Sequence, residues 1–267
     1  FMHNTHTPAP YGYGWTVLSL LPYVIGFGKF NPSYYAMKIL IVGGFLLMWW
    51  AVEKLAKMVK SDTAQNFHTL KWLFFLNPLV LIETFSNGHN DVWMMGLALL
   101  SYVFVLKIQQ KDSLRKKVGY VFMAIVILAI SASVKFATVA LVPVLILLII
   151  TRLIKKLPTW LENLATWWPE ISATLLFLPL LTDRSQQFHP WYLIWSLSFL
   201  PFIRSVWIRY MLIAFSVASL FRYLPYLYLG NYTTQELTQE KMITWIGGIV
   251  VLFVLLLGKK QVNRVLE

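Results

Sequence analysis

Apolar runs long enough to cross a bilayer alternate with short polar interruptions along the whole 267-residue chain. Crossing about 30 Å of hydrocarbon takes roughly 17–25 residues in a helix. Nine candidate runs approach that length: 36–56, 70–85, 92–108, 118–134, 136–154, 171–182, 191–203, 206–229 and 243–258. The sixth and seventh are short and are expected to be tilted or partly re-entrant. An earlier run, 15–27, covers about half a typical span and contains Pro22, so an interfacial or re-entrant helix is expected there. The pattern predicts an all-α integral membrane protein of about nine transmembrane helices. Residues 1–32 form an external loop with its interfacial helix, and 36–258 carry the spans. With no internal repeat, low-complexity tract or linker, 1–267 reads as a single polytopic domain.

Composition agrees: 58% of residues are hydrophobic and 13% charged, against roughly 25% charged in a soluble domain. The net charge of +12 raises the question of nucleic acid, but position gives a better answer. In the nine-span arrangement 17 of the 23 Lys and Arg fall in loops on one side, which the positive-inside rule makes cytoplasmic, with the C-terminus there too. Segments 1–32, 86–91, 133–137, 182–190 and 231–241 face the other side, together with every His except His68. No nucleic-acid partner is expected; the bilayer is. The absence of Cys excludes disulfides and thiolate chemistry. The opening FMHNTHTPAP lacks the regions of a signal peptide and places Phe before the first Met, so we expect residues upstream of Phe1.

A few polar residues resist explanation by packing. Ionisable groups near membrane depth are costly and often mark a site. Glu83 stands at the outer end of its helix, either as a solvated helix-end carboxylate or as part of a site. In SNGHNDVW, Asn90 or Asp91 is placed to cap the helix that begins at VWMMG, which accounts for one of the two but not for both with His89. A helix N-terminus also suits a phosphate. His89 and Asp91 could instead ligate a divalent metal carrying that phosphate, Mg²⁺ or Mn²⁺, although two residues are too few to define a site. Lys135 interrupts nearly forty apolar residues; it either snorkels to the headgroups or is a cation fixed toward a lipid phosphate. Arg222 is a second such cation, suited to pairing with a carboxylate of another helix. The loop TDRSQQFHPWYLIW carries Asp183, Arg184, His189, Trp191 and Tyr192. Its aromatics serve as belt anchors or stack on a sugar, and Pro190 suits a first helical turn.

Four stretches carry a resemblance: PAPYGYGWTVLSLLP (8–22), NPLVLIETFSNGHNDVWMMGLALL (77–100), VKFATVALVPVLILL (134–148) and FHPWYLIWSLSFLP (188–201). In order and spacing they are similar to the motifs of GT-C class polytopic membrane glycosyltransferases, most of all the bacterial polyprenol-phosphate-mannose-dependent mannosyltransferases. The chain departs from that pattern at Tyr13 and Gly14, where Pro-Leu is usual. The resemblance implies transfer of a sugar, mannose by analogy, from a polyprenyl-phosphate donor to a glycan or lipid-linked acceptor. It further implies a site on the non-cytoplasmic face of a bacterial plasma membrane, in service of the cell envelope. Such enzymes usually keep a catalytic carboxylate in a first external loop, which would lie upstream of Phe1. Carried over by residue, Tyr11 and Trp15 would line the acceptor side, and His89, Asn90 and Asp91 would meet donor phosphate or metal. Lys135 would hold the lipid phosphate, while His189, Trp191 and Tyr192 would close the cavity.

The reaction expected on that basis is direct displacement at the anomeric carbon. A base takes the acceptor proton while cations, Lys135 and Arg184 among them, stabilise the departing phosphate. Asp91 is the carboxylate in this chain suited to the site, as base or ligand. Two other classes are open: a transporter or flippase with Lys135, Asp91 and Arg222 along its path, and a structural subunit whose polar residues only cap and pair. A transporter needs charges connecting both faces, whereas the embedded charges gather toward one.

Overall fold

A computed structural model describes residues 11–59, 64–181, 189–230 and 234–258. Among them the chain is entirely helical, without a strand. Helix α1 spans Tyr13–Ile25 and α2 Phe30–Ala56; α3 (Ala64–Phe75) is followed by α4 (Pro78–Leu81) and a π-helical turn, Ile82–Ser86. Helix α5 covers Asp91–Leu106 and α6 Leu114–Val134; a 3₁₀ segment, Phe136–Leu141, leads into α7, Val142–Leu153. Then come α8 (Thr159–Thr166), α9 (Trp168–Phe177), the short α10 (Leu193–Leu197), α11 (Val206–Phe221), α12 (Leu224–Leu229) and α13 (Thr234–Leu257).

Five helical stretches are long and apolar enough to cross a membrane: 30–56, 114–134, 136–153, 206–229 and 238–257. Two sharply bent pairs raise the number to seven if each is one span, so five to seven stands where the pattern predicts nine. The runs that fall short are those the chain breaks up. At 70–85 the helix stops before Asn77, whose Oδ1 accepts from the Leu79 N–H at 2.9 Å while Pro78 takes the first turn. That is helix-start chemistry in the middle of an apolar run. The runs 171–182 and 191–203 are likewise assembled from short α and 3₁₀ pieces. The run at 15–27 is the 13-residue α1, whose only buried residue is Pro22, in keeping with a peripheral helix.

Helix α5 is the centre of the packing. Twelve of its sixteen residues are buried, so it is apolar all round rather than on one stripe, as a core helix must be. It runs beside α2, where the Trp93 Nε1–H donates to Leu40 O at 2.7 Å, and beside α6, where the Ser131 hydroxyl donates to Met94 O at 2.7 Å. Tyr102 closes its far half against Trp168 and Phe199. The helix separates two ends of the bundle by about 22 Å at 1.5 Å per residue. Peripheral α13, by contrast, exposes Ile249, Phe253 and Leu257, as a lipid-facing helix would.

Candidate functional site

The polar residues gather at the end of the bundle where α5 starts. The preceding segment, Pro78–Ser86, meets α5 at 115°. That bend requires Gly88, at φ +73°, since a side chain is strained there. Lys38 steadies the turn by donating from Nζ to the carbonyls of Phe85 (2.7 Å) and Ser86 (2.8 Å), groups left without helical partners. The turn delivers Glu83, His89, Asn90 and Asp91 inward.

Asp91 is fully buried. Its Oδ1 accepts from Lys135 Nζ at 2.9 Å and from the indole N–H of Trp195. Lys135 reaches it because α6 ends one residue earlier and the Lys135 backbone is extended (φ −155°, ψ 127°) before the 3₁₀ segment begins. Ser131 holds that break together by bonding Thr138 Oγ1 at 3.0 Å. The Lys135 ammonium lies 4.9 Å from the Tyr192 ring centroid and 5.1 Å from that of Trp195, so it is enclosed by a carboxylate and two aromatic faces. It is an internal ion pair and does not snorkel to the headgroups.

Three polar atoms here have no hydrogen-bond partner among the described residues although they are buried: Asp91 Oδ2 and both side-chain heteroatoms of Asn90. Asn90 occupies the N-cap position of α5 without its side chain capping the helix. Asp91, at the first helical position, turns to Lys135 and Trp195. The capping explanation of this pair is therefore not what the fold uses. Buried polar groups normally find partners, and orphaned ones mark strain or a missing ligand.

Glu83, also fully buried, forms a second carboxylate centre beside the first. Tyr223 donates its hydroxyl to Oε1, and Asn87 Nδ2 donates to Oε2 at 2.8 Å. His89 Nε2 lies 3.4 Å from Oε2. Burial pushes the His89 pKa down to about 4, with Lys135 adding to the effect and Asp91 opposing it. The Glu83 approach is thus made by a neutral ring. His189 is also pushed down to about 4, by burial first and then by Arg222, Lys135 and His89. Trp191 stacks with both imidazoles, at centroid distances of 4.0 Å (His89) and 4.3 Å (His189). Its π-surface is occupied by histidine instead of lying open for a sugar. Pro190 takes the first position of the 3₁₀ turn that follows His189.

These two histidines give a pH prediction. In the unfolded chain an imidazole takes up its proton near pH 6.5, while both folded rings stay neutral until about pH 4. The unfolded state therefore binds more protons across that window, so this part of the stability is complete above 6.5 and is lost as pH falls toward 4. Thermal unfolding in detergent from pH 4 to 8 should show that decline, and a His89→Gln/His189→Gln variant should decline less steeply.

Tyr11 belongs to the same end. Gly12 N–H donates to Val134 O at 3.1 Å, and a Cβ at Gly12 would stand 2.1 Å from the Ser133 carbonyl oxygen. Only glycine lets the chain lie this close to the end of α6. Burial and the charge of Asp91 both raise the Tyr11 phenol pKa. Trp15 is half-buried against the core. Arg222 pairs with Glu240 across helices at 2.9 Å. Arg184 lies outside the described residues. The fold adds three residues that the sequence reading did not single out: Asn87, Trp195 and Tyr223. Trp195 sits one helical turn beyond Trp191 in PWYLIW, a spacing that is visible in the sequence; nothing local marks Tyr223.

This is a multi-pass helical membrane protein with two buried carboxylates, a part-buried cation and two imidazoles at one end of its bundle. Residues 3–151 match the family model of the alpha-(1->6)-mannopyranosyltransferase N-terminal domain, and the chain belongs to that family. The resemblance to bacterial membrane mannosyltransferases is borne out at this level. Alpha-(1->6)-mannopyranosyltransferase A of Mycobacterium tuberculosis (strain ATCC 25618 / H37Rv) is 31% identical over 93 residues. That alignment takes in 35% of this chain and 17% of the relative's length. No solved structure matches. The matched region contains Glu83, His89, Asn90, Asp91 and Lys135; the fold supplies His189, Trp191, Tyr192, Trp195 and Tyr223 from beyond it.

Proposed function

We propose that the chain is part of a membrane mannosyltransferase that takes its sugar from a polyprenyl-phosphate donor on the non-cytoplasmic face. The supporting observation is the pair of buried Asp91 with part-buried Lys135 beside Asn90, whose side chain has no partner among the described residues, in a chain of a mannopyranosyltransferase family. In the proposed reaction the acceptor hydroxyl oxygen attacks the anomeric carbon and the bond from that carbon to the phosphate oxygen breaks. The phosphate leaves with the electron pair, and the acceptor proton passes to a carboxylate. Asp91 Oδ2, which has no partner among the described residues, suits the role of base or ligand. Asn90 offers a donor and an acceptor to a sugar hydroxyl. Lys135 has three N–H donors and uses one on Asp91, so it can also hold the departing phosphate together with Arg184. Tyr11 stands on the acceptor side, and His189, Trp191 and Tyr192 form the opposite wall.

A divalent cation fits this scheme in one restricted way. No three of His, Asp and Glu converge as ligands among the described residues. Mg²⁺ is commonly held by one or two carboxylates plus substrate phosphate, and Asp91 with His89 would provide the protein share. Nine crossings also belong to the proposal, with the short helices at 70–85, 171–182 and 191–203 completing passes inside the bundle. A transport path finds less support: between Asp91 and Lys107, α5 carries no charged residue.

The test is incubation of the full-length protein in membranes with labelled polyprenyl-phosphate mannose and a glycan or lipid-linked acceptor, with and without chelator. Label in the acceptor supports the reading. Movement of intact donor between leaflets with no transfer would replace it with the flippase alternative.

A further inference from the structure

The opposite end of the bundle holds a cavity of ≈ 870 Å³ that the proposed chemistry leaves unused. It lies at the C-terminal ends of α2, α5 and α7 and beside the segment joining α10 to α11. Its lining has two characters. Phe67, Leu70 and Phe202 supply apolar wall, while Arg152, Arg204 and Arg209 also line it, the Arg204 guanidinium resting 4.9 Å from the Trp167 ring centroid.

The charges are only partly answered by the protein. Glu162 is the one carboxylate in the lining, and Glu170 behind it stands 3.9 Å from Arg204 Nε. Arg204 Nη2 donates to Thr166 O at 2.7 Å. Arg209 donates from Nε to Ile203 O at 2.7 Å, which anchors its guanidinium at the wall. Arg152, in the last turn of α7, makes no side-chain hydrogen bond or ion pair among the described residues; only its backbone oxygen is used, by Gln110 Nε2 at 2.9 Å. Like charges gathered beside an apolar wall repel one another, and an anion entering between them relieves that cost. A guanidinium fork matches phosphate oxygens.

We propose that this cavity binds an anionic phospholipid, with the phosphate on Arg152 and Arg209 and the acyl chain along Phe67, Leu70 and Phe202. A free phosphate would leave most of a space this large, and all of its apolar wall, without contacts. The loops at this end also hold most of the chain's Lys and Arg, which draw anionic lipid to the adjoining headgroup layer. The site is distinct from the Asp91 cluster, since the length of α5 separates them.

The experiment compares phosphatidylglycerol, phosphatidylcholine and inorganic phosphate on the full-length protein in detergent, by native mass spectrometry and thermal unfolding. Phosphatidylglycerol should stay bound after delipidation and raise the midpoint, while phosphatidylcholine and inorganic phosphate leave it unchanged. Arg152→Gln should weaken phosphatidylglycerol binding about tenfold, the loss of one charge-assisted hydrogen bond, with Arg152→Lys recovering part of it. Because Arg152 has no partner among the described residues, the lipid-free midpoint should hold. Equal retention of phosphatidylcholine, a full shift from inorganic phosphate alone, or unchanged binding in both Arg152→Gln and Arg209→Gln would each overturn the proposal. None of these readouts depends on sugar transfer, so they stand apart from the glycosyltransferase reading.

Discussion

Asp91→Asn is expected to lower sugar transfer by at least about a hundredfold, the range for losing a general base or its equivalent. It should also destabilise the protein, by at most about 3–5 kcal/mol, because the part-buried Lys135 ammonium would lose its partner. The two effects can be separated. Asp91→Asn combined with Lys135→Met removes both charges and keeps an unbranched apolar chain against Tyr192 and Trp195. That double variant should regain most of the thermal stability while remaining inactive with labelled donor. Normal turnover in a folded Asp91→Asn protein would remove Asp91 from the chemistry. Recovery of turnover in the double variant would reduce the pair to a structural role.

Glu83→Ala is expected to have the second largest effect, and mainly through structure. The carboxylate joins the π-helical turn to Tyr223, 140 residues later, and also receives Asn87. Removing it takes the acceptor from the half-buried Tyr223 hydroxyl and the exposed Asn87 amide, a loss of about 0.5–1.5 kcal/mol for each hydrogen bond, and opens a cavity under His89. A fall of several degrees in the detergent unfolding midpoint should accompany loss of transfer, since the His89–Trp191 stack rests on this turn. Tyr223→Phe removes a single donor and should cost less on both measures. If Glu83→Ala unfolded normally, its hydrogen bonds to Tyr223 and Asn87 would contribute nothing measurable to stability.

These two residues show what could be read in advance. Glu83, His89, Asp91 and Lys135 were visible because charge is scarce in this chain and each interrupts an apolar run, a signal that is local and strong. Their surroundings depend on residues far along the chain. Helix-capping statistics placed Asn90 or Asp91 at a helix start, and that start is where α5 begins, but neither side chain serves the helix. The protein partner of Lys135, Asp91, is not legible from its neighbours along the chain. Aromatic faces offered for a sugar proved, at Trp191, to be stacked with imidazoles. Of the nine expected spans, five to seven are long and apolar enough in the fold, and Asn77–Pro78, whose capping chemistry divides an apolar run that hydropathy alone treats as continuous, accounts for one of the shorter pieces.

Neighbours along the chain are enough to define the class of protein, the helical character of its segments and the places where polar residues interrupt them. These depend on apolar length, helix-breaking residues and charge placement, all properties of neighbours along the chain. Only the tertiary structure decided which polar residues meet. Asp91 finds Lys135 across 44 residues and Trp195 across 104, and Glu83 finds Tyr223 across 140. Those distances are closed by the docking of α5 among helices that fold around it. Membrane composition fixes that each helix is apolar, but not which apolar face packs on which; the bend at Gly88 and the break at Lys135 settle that, and SNGHNDVW acquires its partners there.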